Sequence, residues 1–100
     1  MGHPEPIPIR YMSIGNEDYG HADYLGNYIA FFNAIHALYP NITLIANANM
    51  LPDAPTMIYD YHTYPDPQWF LQSQYYFDPV DRATNPPIFN SEYAVLANGG

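Results

Sequence analysis

The stretch YMSIGNED, Tyr11 to Asp18, decides how this chain is read. Tyr11 to Ile14 is apolar enough for a buried strand. It then breaks at Gly15 into an amide, Asn16, and two carboxylates, Glu17 and Asp18. A hydrophobic strand that runs straight into acids is expected where strand ends carry chemistry. In α/β folds that place lies beyond the carboxyl ends of parallel strands.

Working outward, Ile9 to Gly15 reads as a strand buried on both faces, as parallel strands are. Leu25, Tyr28, Ile29, Phe32, Ile35 and Tyr39 then recur at helical spacing, so a helix is predicted over 24–39, with Asp23 as its N-cap and Pro40 as its stop. Gly26 weakens that helix by up to about 1 kcal/mol against Ala without overturning it. Residues 42–48 and 56–64 are rich in β-branched and aromatic residues and read as two more strands, separated by the proline-broken NMLPDAP. A second helix is predicted over 67–76, capped by Asp66 and opened by Pro67, and a fourth strand over 88–94. The order is strand, helix, strand, short link, strand, helix, strand. Such alternation implies a parallel α/β sheet with right-handed crossovers, close to half of a (β/α)8 TIM barrel, which takes about 250 residues.

Composition narrows the function classes. The 100 residues suffice for one small domain, and they are 48% hydrophobic and 17% aromatic, which rules out a disordered tail. Eleven tyrosines supply rings with a polar handle, suited to sugar-holding surfaces and equally to half-buried packing. Two Arg and no Lys stand against ten Asp and Glu, giving a formal charge of -8, so nucleic acid and anionic membranes are not expected partners. There is no cysteine, hence no disulfide and no thiolate metal site. No run reaches the roughly 18 apolar residues of a membrane span. The start, MGHPEPIPIRY, has no secretory-signal pattern, and the end, AVLANGG, has no closing helix, so a fragment of a longer polypeptide is expected.

If the strands are parallel, Glu17, Glu92 and the alternating Asp60, His62 and Tyr64 collect at one rim. Two carboxyl groups across such a rim suit glycoside hydrolysis: one protonates a leaving oxygen while the other attacks the anomeric carbon. Asn16 adds an amide able to bind a sugar hydroxyl. Glu92 stands in an otherwise apolar strand and needs a partner, which Tyr64, Arg10 or Arg82 are each able to supply. The four histidines show no HxH or HExxH spacing, so His62 reads as a hydrogen-bonded rim residue, with no metal and no cofactor expected. Asp18 reads as a helix-start carboxylate, Trp69 as packing for the second helix, and Asn47 and Asn49 as turn formers at a strand end. His3, His21 and His36 read as surface or helix-flank residues, with His21 a weaker candidate for the cleft.

The segments YMSIGNEDYG, YDYHTY and NSEYA, in this order and with the lead-in GHPEPIPIR, resemble the glycoside hydrolase family 51 α-L-arabinofuranosidases, most closely the branch found in plants and fungi. GNE alone is common among barrel glycosidases; GNE with SEYA at this separation is far more specific. The resemblance implies a retaining mechanism on a (β/α)8 barrel, with the present strands corresponding to barrel strands four to seven. It also implies that Glu17 is the acid/base, Glu92 the nucleophile, and Asn16 the ligand of the sugar 2-hydroxyl. His62 and Tyr64 correspond to rim residues, the tyrosine bonding the nucleophile. An arabinose-containing polysaccharide or oligosaccharide is the implied partner, along with the missing parts of a secreted parent chain. A retaining barrel glycosidase acting on xylan or glucan, or an inert truncated chain, is the competing expectation.

Overall fold

The computed structural model describes residue 2 and residues 4–96; His3 and the last four residues of the AVLANGG end lie outside them. Four strands form one sheet in chain order: β1 (Tyr11–Ile14), β2 (Thr43–Ala46), β3 (Ile58–Thr63) and β4 (Ile88–Tyr93). All three pairings are parallel. Every strand therefore ends at the same edge of the sheet, and that edge carries the loop after Ile14, Asn47, Tyr64 and Glu92.

Helix α1 (Tyr24–Leu38) crosses from β1 to β2 and packs on one face of the sheet. Tyr24, Tyr28, Phe32 and His36 recur every fourth residue, so their rings stack along one side of the helix with centroids 5.9, 5.8 and 5.6 Å apart. Tyr24, Tyr28 and Phe32 are buried against Ile14, Leu44, Ala46 and Ala54, and this cluster is the core. Tyr28 is fully buried and donates its hydroxyl proton to the Pro55 carbonyl at 2.7 Å. Burial pushes that phenol up to about 12.

The predicted stripe is displaced towards Tyr24, since Leu25, Ile29 and Ile35 are only partly buried and Tyr39 is 58% exposed. Tyr39 is the C-cap, with φ -135°, and has already left the helical path before Pro40. Asp23 occupies the N-cap position, but its side chain makes no capping hydrogen bond.

The expectation that the first strand is buried on both faces is not met. Tyr11 is 61% exposed and only Ile14 of β1 is buried, because β1 pairs on one side only and α1 covers one face. The central strand β2 fits that description instead, with Leu44, Ile45 and Ala46 all buried.

Helix α2 (Pro67–Gln72) opens as predicted, with the Trp69 amide donating to Asp66 Oδ1 at 2.8 Å. It stops at Gln72 rather than continuing to Tyr76. The Tyr76 and Phe77 rings turn back onto Tyr61 of β3, with centroids 5.8 and 5.4 Å away. Trp69 joins the same aromatic group, 5.3 Å from both Phe70 and Tyr76, and serves as packing.

The β3–β4 pairing contains a bulge. Asp60 pairs with Phe89, whereas His62 pairs with Glu92, so two steps along β3 match three along β4.

Candidate active site

Asp60, His62 and Tyr64 are spaced by two along β3 and its extension, so their side chains share one face. On β4, consecutive residues should point to opposite faces. The extra residue in the bulge lets both Ser91 and Glu92 reach the Asp60–His62–Tyr64 row. Ser91 donates from its hydroxyl to Asp60 Oδ2 and from its amide to Asp60 Oδ1 at 3.0 Å. Tyr64 Oη donates a hydrogen bond to Glu92 Oε1.

Glu17 reaches the same point from β1. It follows Gly15, whose φ is +85°, and is itself left-handed at φ 56°, ψ 22°, before a 3-10 turn over Asp18–Gly20. This sharp exit swings the carboxylate across β2 towards β3. Glu17 Oε1 lies 2.9 Å from His62 Nδ1 and 3.0 Å from Tyr64 Oη. One phenol therefore touches both carboxylates. Ligand-capable atoms of Glu17, His62 and Glu92 all lie within 4.8 Å of one another. The side chains of Glu17 and Glu92 are 48% and 53% exposed, while that of His62 is only 9% exposed.

Exposure removes the desolvation reason for giving Glu92 a partner. β4 is open to solvent over most of its length, and among the described residues neither Arg10 nor Arg82 forms a salt bridge with it. Tyr64 and His62, whose Nδ1 lies 3.8 Å from Glu92 Oε2, are the groups that meet it.

The charges are arranged around His62. Its Nε2 lies 3.1 Å from Asp60 Oδ2 and 3.2 Å from Ser91 Oγ, while Nδ1 faces Glu17. The hydrogen bond to Glu17 raises the His62 imidazole above its ordinary range, against the opposing effect of burial and with help from Asp60. The reciprocal bond from His62, then that from Tyr64, holds the Glu17 carboxyl below its usual range. Burial pushes Asp60 up, but the bonds from Ser91 and His62 outweigh it, so Asp60 also titrates low. Bonds to Glu92 and Glu17, together with desolvation, push the Tyr64 phenol well up, so it stays a donor.

With Nε2–H directed at Asp60, Nδ1 of His62 is able either to donate to ionised Glu17 or to accept from protonated Glu17. One proton lies between them over 2.9 Å, and the raised imidazole and lowered carboxyl place it on His62. The three ligand atoms of Glu17, His62 and Glu92 are also close enough to take a cation, although the Glu17 atom already meets two hydrogen-bond donors.

Of the residues expected from sequence, Glu17, His62, Tyr64 and Glu92 come together. Asn16 is exposed beside them, with its backbone amide donating to Asp18 Oδ2 at 3.0 Å, and Asp18 starts the 3-10 turn as expected of a helix-start carboxylate. His21 lies apart, lining a separate hollow with Asp23, Asn27 and Phe31. Asp60 was expected at this rim without a stated role, and Ser91 was not expected there at all. The D-x-H-x-Y alternation already carried the signal for Asp60, but nothing in the sequence announces the bulge that brings Ser91 in.

The chain as a whole is similar to known proteins. Residues 1–82 match the family model described as the Alpha-L-arabinofuranosidase 1 domain. Alpha-L-arabinofuranosidase 2 of Arabidopsis thaliana is 43% identical over 98 residues, which span 95% of this chain and 14% of that protein. The extracellular exo-alpha-L-arabinofuranosidase of Streptomyces chartreusis is 32% identical, over 98% of this chain and 13% of its own length. A solved arabinose-bound α-L-arabinofuranosidase, MgGH51, superposes with a TM-score of 0.77 at 35% identity, covering 92% of this chain and 15% of that one. The chain thus spans about a seventh of these relatives.

Proposed function

Because the chain belongs to the Alpha-L-arabinofuranosidase 1 domain family, we propose that it carries the catalytic pair of a retaining glycoside hydrolase. The enzyme releases non-reducing-end α-L-arabinofuranosyl residues from arabinose-containing polysaccharides or oligosaccharides. The four strands correspond to strands four to seven of a (β/α)8 barrel, and residues 1–100 form an incomplete piece of its catalytic domain.

The observation that carries the reading is the single Tyr64 hydroxyl in contact with both Glu17 and Glu92. Atoms of the two carboxylates lie within 4.8 Å of each other, close to the separation of about 5–5.5 Å that lets the second acid act as a nucleophile. An inverting pair is set wider, to admit water between acid and sugar.

In the mechanism, Glu92 attacks the anomeric carbon and forms a glycosyl ester, held in position by the Tyr64 hydroxyl. Glu17, held ionised at rest, takes the proton from His62 Nδ1 at 2.9 Å and delivers it to the departing oxygen. Glu17 then takes a proton from the water that cleaves the ester and passes it back to His62, which restores the starting ion pair. His62 stands at Glu17 throughout, so the proton that Glu17 donates has a second seat 2.9 Å away. Asn16, exposed next to Glu17, binds a hydroxyl of the sugar. Both acids are about half exposed in the 100-residue chain, so activity is expected only where the rest of a barrel closes over them.

The test is a chimera in which these 100 residues replace the matching segment of the full-length Arabidopsis relative. It should hydrolyse an aryl α-L-arabinofuranoside, and Glu92→Ala should lower turnover by about a thousandfold or more. Undiminished turnover in Glu92→Ala, or a chimera active on xylosides or glucosides but not arabinofuranosides, would remove the assignment.

A further inference from the structure

We infer that Asn47 is a positioning residue for the acid/base: its buried carboxamide fixes the backbone of residues 16–18 and thereby aims the Glu17 side chain. The inference rests on the functional reading above.

Asn47 directly follows β2 and is the buried polar residue of the described chain, 5% exposed. A carboxamide buried that deeply is costly unless its atoms are partnered. It satisfies its neighbours in one orientation. Its oxygen then accepts from the backbone amides of Asp18 at 2.8 Å, Glu17 at 3.1 Å and Asn16 at 3.3 Å, while its nitrogen donates to Tyr24 Oη at 2.9 Å. Three successive N–H groups converge on one side-chain oxygen, that of Asn16 being shared with Asp18 Oδ2 at 3.0 Å.

Those three residues need such an anchor. Glu17 is the one non-glycine residue among the described residues with positive φ, a conformation that costs free energy for a side chain with a Cβ and persists only where its surroundings enforce it. The remaining contacts bind the same knot. Tyr24 Oη donates to the Ile14 carbonyl and accepts from the Asn47 amide, each at 3.1 Å, tying the end of β1 to the end of β2 through α1. At Gly15 the φ of +85° strains any side chain, and a Cβ there would also displace the Asp18 carboxylate and lie 3.1 Å from the Asn47 carboxamide.

This anchor acts on the proton donor and leaves the nucleophile alone. Glu92 and Tyr64 are held by β3 and β4, and no Asn47 contact reaches them. Misaiming Glu17 should therefore harm the reaction in proportion to how much the leaving group needs a proton. A dinitrophenolate departs unaided, whereas a sugar alkoxide does not.

The experiment compares kcat/KM, which reports the glycosylation step, for both kinds of substrate in the chimera described above. Asn47→Ala should lower kcat/KM on an arabino-oligosaccharide by about 100-fold. On dinitrophenyl α-L-arabinofuranoside the loss should stay within about threefold, since no proton transfer is required there. Equal losses on both substrates, or no loss on either, would overturn the inference. Should Asn47→Ala not fold, Asn47→Asp decides. It keeps an acceptor oxygen for the three amides and should retain the leaving-group dependence of the unsubstituted chimera, so a marked selective loss on the oligosaccharide would count against the inference. Turnover by the unsubstituted chimera checks the functional reading, and the ratio between substrates checks Asn47, so the two failures are read from different measurements.

Discussion

At the residue scale the site is organised around a proton that two groups share. His62 is raised chiefly by its bond to Glu17, and Glu17 is lowered chiefly by its bond to His62. The signs give a window. A histidine raised above its ordinary 6.5 contributes stability that is fully present below 6.5 and fades as pH rises through the raised value. A carboxylate lowered below 4.5 contributes stability that is present above 4.5 and is lost as pH falls through the lowered value. The ion pair is therefore strongest between about pH 4.5 and the raised titration of His62. We predict that in the ¹³C-histidine-labelled chimera the His62 resonance, identified by its loss in His62→Asn, titrates above 6.5. In Glu17→Gln it should move down, because the largest cause of the increase is gone while burial remains. A midpoint at or below 6.5 in the unsubstituted chimera would contradict the pairing. His62, Glu17, Tyr64 and Glu92 were legible in the sequence because strand ends and an alternating D-x-H-x-Y row place them. Asn47 was legible only as a turn former, since the three amides that meet its oxygen come from a loop about 30 residues away.

At the element scale, α1 could be read because its burial depends on local spacing: Tyr24, Tyr28 and Phe32 fall every fourth residue and form the core with β2. Helix α2 was read too long. Its start is set by a local cap, Asp66 with Pro67, whereas its end is set by Tyr76 and Phe77 turning to Tyr61, a contact between elements. The bulge in β4 is the element feature with the largest consequence. Removing Asn90 should restore a regular ladder in which Glu92 still pairs with His62 while Ser91 turns to the opposite face, parting Ser91 from Asp60. We expect that deletion in the chimera to lower arabinofuranoside turnover by less than Glu92→Ala does, because Glu92 keeps its place beside His62 while Asp60 loses the Ser91 hydroxyl, with circular dichroism showing retained helix and sheet. A loss as severe as that of Glu92→Ala would mean that the bulge itself aims Glu92.

At the scale of the whole molecule, the described sheet is open. The radius of gyration is 16.2 Å, against about 13 Å for a closed 100-residue domain. The accessible surface is 7536 Å², where about 5,800 Å² is usual for this mass. Exposed apolar residues stand at both outer strands: Ile9 and Tyr11 beside β1, and Phe89, Tyr93 and Val95 along and after β4. Unpaired parallel edges with such flanks are templates for association. The 100-residue chain expressed alone is therefore expected to self-associate in sedimentation velocity; a monodisperse monomer with a cooperative melt would refute this. The sequence by itself determined the alternating elements, the parallel sheet and the presence of two glutamates at strand ends, because periodicity, caps and turn residues act over a few positions. Only the tertiary structure decided which way those acids point. The left-handed exit at Glu17, the Asn47 anchor and the β4 bulge depend on contacts between distant segments, and a side chain's direction at a strand end follows from such contacts.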